Sequence, residues 1–204
     1  MKSTLKRLAA FLLVLALLIP CLPLPGAAAQ NCTRLSGKDR YATSLLAADA
    51  LKQVTGTDRF DAIILASGTG FADALAGSYL AAVKGAPILL ASDSQIPNIQ
   101  SYIRENLADG GTVYLLGGKG AVSTQVEESL AGFTLRRLSG SNRYATNLAI
   151  LEEAGLGDRE VLIATGKGFA DSLSASAVGR PICWLGIPSP SSRKPFWRKA
   201  AVNL

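Results

Sequence analysis

Short apolar runs alternate with helix-type segments through the central part of the chain. The runs are bounded by glycine or proline, which is typical of buried strands, whereas the segments between them are longer and have few glycines or prolines. Strands are predicted over 62–66, 87–91 and 112–116, and helices over 40–54, 71–84, 97–107, 123–130 and 143–156. Residues 134–138 lead from one helix into the segment before the next. This alternation predicts an α/β fold, a parallel sheet flanked by helices on both faces in a Rossmann-like module.

Two motifs occur twice, in the same order. Residues 34–43, RLSGKDRYAT, return as RLSGSNRYAT at 137–146. Residues 68–73, GTGFAD, return as GKGFAD at 166–171. Ordered recurrence indicates an internal repeat. We therefore predict one complete first copy over residues 30–136 and a truncated second copy over residues 137–182.

The pattern of the first copy breaks after Ile182. Both tryptophans and a proline-containing basic end follow, and no acidic residue lies beyond Asp171. Residues 183–204 are therefore interpreted as an aberrant tail. Two explanations stay open: a nucleotide lost after codon 182, which would shift the reading frame, or a true C-terminal tail.

The N-terminal residues have the pattern of a secretory signal peptide. Lys2, Lys6 and Arg7 precede a short apolar stretch, and residues 27–29 are three alanines before Gln30. Residues 1–29 are predicted to be removed on export. The apolar stretch is short for a membrane span, so no membrane contact is expected after cleavage.

Composition narrows the possible functions. The chain has no histidine, which removes histidine-based triads and the commonest metal ligand. Residues 30–182 carry 14 basic and 15 acidic residues, so this part of the chain is nearly neutral. A neutral body lacks the electrostatic footprint of a nucleic-acid-binding protein. No metal, cofactor or catalytic residue is predicted.

Glycine-rich loops follow three of the predicted strands, and the carboxyl edge of a parallel sheet is where ligands bind. The GxGFAD loop is a partial dinucleotide fingerprint, but Asp73 occupies the third glycine position, where a carboxylate would repel pyrophosphate. Arg40 is assigned either to ligand contact or to structural pairing with Asp73. The candidate ligand-binding residues are Arg40, Tyr41, Ser67, Gly68, Gly70, Asp73, Gly117, Gly118, Arg143 and Asp171.

Taken together, the RLSGxxRYAT motif, the GxGFAD loop, the GAPILL strand and the VYLLGGxGAVS segment resemble the type-two cell wall binding repeat of clostridial and related Gram-positive surface proteins. The resemblance covers about residues 34–182. It implies an exported, non-enzymatic module that attaches non-covalently to an anionic wall polymer or polysaccharide at the cell surface. It also implies neighbouring repeats of the same type, packed as a trimer beside an effector domain.

We accordingly expect a cell wall binding module, which belongs to a longer surface protein. The alternative from another class is a secreted nucleotide- or phosphate-binding α/β protein or enzyme that uses the glycine-rich loops. No nucleophile–base pair in the sequence supports that alternative.

The signal pattern makes a direct prediction about the exported protein. Cleavage after Ala29 would give a mature chain that begins at Gln30. N-terminal sequencing of material recovered outside the cell should find this start. Recovery of the intact chain from the cytosol would contradict it.

Overall fold

The computed structural model describes residues 33–186, so the predicted signal peptide and residues 187–204 lie outside the described part. The first helices and strands are α1 (Arg40–Thr55), β1 (Phe60–Ser67), α2 (Ala72–Ala76), α3 (Ser78–Lys84) and β2 (Ile88–Ala91). After a 3₁₀ turn at Asp93–Gln95, the chain continues with α4 (Ile96–Asn106), β3 (Leu107–Leu116), α5 (Thr124–Ser129) and β4 (Thr134–Leu138). The remaining elements are α6 (Arg143–Ala154), β5 (Leu162–Thr165), α7 (Ala170–Ser176) and β6 (Ile182–Leu185).

The predicted α/β class is confirmed. The first sheet has the order β2-β1-β3-β4, and all of its pairings are parallel. A second parallel pair is formed by β5 and β6. Because β1 is central and its neighbours follow it in the chain on opposite sides, the loops after β1 and β3 meet at the carboxyl edge of the sheet.

Two apolar clusters cover the two faces of the first sheet. Ile63 and Leu65 of β1 point into one cluster with residues of α1, α4 and α5. Ile64 and Ala66 point into the other, together with residues of α2 and α3. This alternation follows from the two-residue period of a strand, and burial on both faces explains why β1 is almost continuously apolar.

The second copy packs onto the first through a shared core. Ile150 of α6 and Trp184 of β6 are fully buried in the same cluster as Leu80 and Leu116 of the first copy. Two hydrogen bonds reinforce this contact: the Tyr79 hydroxyl donates to the Gly155 carbonyl at 3.0 Å, and the Tyr114 hydroxyl donates to Glu153 at 2.9 Å. The two copies therefore share one continuous apolar interior.

The predicted break after Ile182 is wrong for the next residues, because β6 continues to Leu185. Trp184 pairs with Ala164, as Leu90 pairs with Ala66 in the first copy. The buried Asn147 side chain accepts from the Trp184 amide at 3.0 Å and donates to the Ile182 carbonyl at 2.9 Å. Cys183 and Trp184 thus continue the strand despite their unusual composition.

Two further expectations are corrected. The helix predicted over 71–84 is divided at Gly77, where an added Cβ would lie 2.4 Å from a methyl group of Leu116. Strand β4 crosses the predicted boundary at 136/137, so the start of the second RLSG motif completes the first sheet. No helix within residues 33–186 is long and apolar enough to cross a membrane.

The second copy exposes an apolar strand face that the first copy buries. Ile163 of β5 is 68% exposed, whereas Leu65, its counterpart in β1, is 0% exposed. Val161 is also exposed, and its counterpart Ile63 is fully buried. In the described residues β5 pairs only with β6. In the first copy β3 pairs with the other edge of β1, and within residues 33–186 the equivalent edge of β5 has no strand beside it.

This difference predicts unequal costs for the same type of truncation. Leu65→Ala should lower the free energy of unfolding by about 3 kcal/mol, because it opens a cavity in a packed core. Ile163→Ala should cost less than about 0.5 kcal/mol, because its side chain is already hydrated. Urea denaturation of the full chain measures both values, and equal costs would show that β5 is covered in solution.

Candidate functional site

The two repeated motifs contact each other at the carboxyl end of the strand between them. Arg40 donates from Nη1 to the carbonyl of Gly68 at 2.7 Å, and in the second copy Arg143 donates to the carbonyl of Gly166 at 2.9 Å. The arginine of the first motif is therefore anchored to the first glycine of the second motif in both copies. One N–H group of each guanidinium is committed to this structural bond.

The tyrosine of the first motif packs directly on the same glycine. A Cβ added at Gly68 would lie 2.2 Å from Cε1 of Tyr41, and one added at Gly166 would lie 2.4 Å from Cε1 of Tyr144. Real Cβ atoms do not approach other heavy atoms so closely. The first glycine of GxGFAD is thus required by the packing of a tyrosine ring, whereas Gly70 has open space around it.

The loop before each of these helices is closed by matching hydrogen bonds. Asp39 accepts from the Ala42 amide at 2.8 Å, and Asn142 accepts from the Ala145 amide at 3.0 Å. Both side chains cap a helix by accepting from a free backbone N–H. Asp39 therefore caps α1, and Asn142 does the same for α6.

Of the two alternatives for Arg40, the contact that the structure shows is with the Gly68 carbonyl, and the cation that acts on the pKa of Asp73 is Arg143. Partial burial raises the pKa of the Asp73 carboxyl, and the positive charge of Arg143 acts in the opposite direction. Asp73 belongs to the first copy and Arg143 to the second. The acid of the first GxGFAD motif is therefore within the electrostatic influence of the second copy.

Gly117 lies against the same carboxyl group. Its φ of 90° is in the left-handed region, and an added Cβ would lie 2.3 Å from Oδ2 of Asp73. The Gly117 carbonyl accepts from Arg137 Nη1 at 2.8 Å, and Arg137 also pairs with Glu127 at 2.9 Å. These contacts give Gly117 a structural role beside the junction.

A cavity of about 480 Å³ opens at the junction of the two copies. The first copy contributes residues 67–71 with Arg40, Ala74, Leu75 and Leu90, and the second contributes Phe169 and Leu173. This volume is within the range of small-molecule sites, roughly 300–1,000 Å³. The cavity is therefore a candidate binding site within the described residues.

The cavity collects four of the ten predicted ligand-binding residues: Arg40, Ser67, Gly68 and Gly70. The other six do not line it: Tyr41, Asp73, Gly117, Gly118, Arg143 and Asp171. Tyr41, Asp73 and Gly117 instead form packing contacts, and Asp171 lies exposed in the first turn of α7. A ligand-binding role for any of these ten residues stays a prediction.

Phe71 and Phe169 were not among the predicted site residues, although both line the cavity. They are equivalent residues of the two GxGFAD motifs, and their ring centroids are 5.8 Å apart at an interplanar angle of 60°. The guanidinium of Arg143 lies 5.8 Å from the Phe71 ring centroid. The sequence did contain a signal, because phenylalanine occurs at the same position of both motifs. The contact between the two rings, however, depends on how the copies pack.

Known proteins share both the sequence pattern and the fold. The family model for Cell wall binding domain 2 (CWB2) matches residues 34–127 and 137–186. The chain is 26% identical over 198 residues to the N-acetylmuramoyl-L-alanine amidase LytC of Bacillus subtilis (strain 168), covering 94% of this chain and 38% of that protein. It is 30% identical over 146 residues to the Amidase enhancer of the same organism, covering 71% of this chain and 19% of that protein.

Two solved structures from Clostridium difficile have a similar fold. Cwp8 matches with a TM-score of 0.68 and 30% identity, covering 77% of this chain and 28% of that chain. Cwp6 matches with a TM-score of 0.62 and 24% identity, covering 80% of this chain and 28% of that chain. The chain thus spans well under half the length of each of these relatives.

The tyrosine–glycine contact makes a prediction with a control inside the same motif. Gly68→Ala should lower the free energy of unfolding by roughly 1–3 kcal/mol, because the new methyl group overlaps the Tyr41 ring. Gly70→Ala should have little effect, since nothing lies within 4 Å of its added Cβ. Thermal or urea denaturation of the two variants measures the difference, and equal stabilities would contradict the assigned packing role.

Proposed function

The chain belongs to the Cell wall binding domain 2 family, and from this premise we propose that it is a non-catalytic module that attaches an exported protein to the cell wall. The observation that carries the proposal is the match of the family model to both segments that contain the repeated motifs. The amidase named among its relatives is matched over 38% of its length, so its activity is not transferred to this chain.

We place the wall-binding site in the junction cavity. The cavity lies at the carboxyl end of β1 and is lined by both copies, which is where ligands bind in parallel α/β sheets. Its polar groups include Arg40 and the hydroxyls of Ser67 and Thr69. The ligand class is a wall polysaccharide or an anionic wall polymer, bound non-covalently.

The alternative of a nucleotide-binding protein is less well supported. A pyrophosphate would need several cationic or N–H donors, whereas Arg40 is the one charged side chain among the residues that line the cavity. The carboxylate of Asp73 lies close by, against Gly117. Neutral or singly charged ligand groups fit this environment better than a polyphosphate.

We further propose neighbouring repeats of the same type as partners. The support is the exposed apolar face of β5, whose equivalent in β1 is buried by later elements of the first copy. A polypeptide segment that supplied such elements would bury Ile163 and Val161. In a chain extended by a complete repeat, Ile163→Ala should become as costly as Leu65→Ala, and an unchanged low cost would contradict this packing.

Wall attachment can be tested with the full chain and purified cell walls in a sedimentation assay. Gly70→Phe places a bulky side chain at the cavity wall, where an added Cβ meets no atom, and it should reduce the bound fraction at least about fivefold because the ligand is excluded. Gly118→Phe is the comparison variant, since its added Cβ is equally free and it tests the loop after β3, which does not line the cavity.

The possible outcomes test the wall-binding function and the location of the binding site separately. Failure of the unsubstituted chain to sediment with walls would contradict the wall-binding function. Normal binding of Gly70→Phe together with weak binding of Gly118→Phe would place the site at the β3 loop instead. Circular dichroism of both variants shows whether the fold is retained.

A further inference from the structure

The junction cavity exposes two aromatic rings that could have been buried. Phe71 is 37% exposed and Phe169 is 55% exposed, although both are large apolar side chains at a contact between packed copies. The edge-to-face contact between the two rings covers part of the surface of each ring. The Arg143 guanidinium lies 5.8 Å from the Phe71 ring centroid, and both rings line the cavity together with Leu75 and Leu173. Two neighbouring, partly exposed aromatic rings at a cavity offer a contact surface for a ligand.

The charges around the cavity do not suit a ligand bound mainly through phosphate. Arg40 is the one cationic side chain among its lining residues, and one of its N–H groups already binds the Gly68 carbonyl. The next cation, Arg143, lies over the Phe71 ring, binds the Gly166 carbonyl and has Asp73 as its electrostatic partner. A phosphate would thus meet one partly committed guanidinium and a largely apolar surface.

The polar side chains that line the cavity are those of Arg40, Ser67 and Thr69. The hydroxyls of Ser67 and Thr69 are 2.9 Å apart and hydrogen-bonded, and the Thr69 amide donates to Ser67 Oγ at 3.2 Å. The unused N–H groups of Arg40 lie at the same loop. A ligand that matches this cavity has one apolar face and a polar edge of hydroxyl groups.

A pyranose ring has this chemistry, because its axial C–H bonds form an apolar face and its hydroxyls project from the rim. We propose that the cavity binds a sugar ring of the wall polymer, with the C–H face against Phe71 and Phe169 and the hydroxyl edge at Arg40, Ser67 and Thr69. This assignment rests on the proposed wall-binding function and specifies which part of the polymer is recognised. Phosphate groups of the polymer lie outside the cavity in this arrangement.

Small probes test the assignment directly. The full chain is titrated with the methyl glycosides of glucose and N-acetylglucosamine and, separately, with glycerol phosphate, and NMR follows the ring signals of Phe71 and Phe169. At least one glycoside should shift both rings and the Thr69 amide, and glycerol phosphate should shift neither ring. Absence of ring shifts with both glycosides, or equal shifts with glycerol phosphate, would overturn the proposal.

Binding to purified walls gives an independent readout. Phe169→Leu keeps an apolar side chain but removes the aromatic face, and it should weaken wall binding by roughly three- to tenfold. Phe169→Tyr should keep most of the binding. Phe133→Leu is the matched control, because Phe133 packs against the other core cluster and does not line the cavity.

The failures of the two proposals can be told apart. If the unsubstituted chain binds walls and Phe169→Leu binds equally well, the sugar-stacking proposal is wrong and wall binding stands. An equal loss in Phe169→Leu and Phe133→Leu would indicate a stability effect and would also overturn it. Contact through the sugar face further predicts that 0.5 M salt changes the affinity by less than about twofold, whereas a steep loss would indicate phosphate recognition.

Discussion

In each copy a tyrosine ring packs on the glycine that follows a strand. This contact determines where the residues of the repeated motifs lie. Tyr41 covers Gly68 so closely that no Cβ fits between them, and Arg40 binds the carbonyl of that same glycine. The capped start of α1 is thereby fixed against the loop after β1. The loop in turn places Phe71 at the junction. The second copy repeats each of these contacts through Tyr144, Arg143 and Gly166.

This shared geometry also explains why a partial copy can fold onto a complete one. Trp184 and Ile150 complete an apolar cluster that the first copy begins, so burial at the junction offsets the conformational entropy of ordering α6, β5 and β6. The charge of Arg143 in the second copy also acts on the pKa of the Asp73 carboxyl in the first copy. The β5 face remains apolar and exposed, since no later part of the described chain covers it.

Much of the fold could be predicted from local signals. Some residue patterns indicate the conformation of the segment in which they occur. Examples are the apolar runs of β1 and β2, the cap at Asp39 and the proline at the start of α4. The division at Gly77 was not predicted, and the close approach of Leu116 to this glycine, from a strand distant in sequence, is not visible in the local pattern either. The strand at Cys183 and Trp184 was missed for a similar reason: Asn147 and β5 support it, and composition does not reveal either partner.

The same holds for the candidate site: some of its residues could be predicted from local sequence, and others depend on contacts between distant parts of the chain. Arg40, Ser67, Gly68 and Gly70 belong to motifs at the carboxyl edge of one sheet, so their neighbourhood follows from the topology of a parallel fold. Phe71 and Phe169 meet only because two copies of one motif face each other across a packed junction. A repeat therefore does more than multiply a binding surface. By placing equivalent phenylalanines together, the packing of the two copies adds Phe169 and Leu173 to a cavity whose other lining residues belong to the first copy.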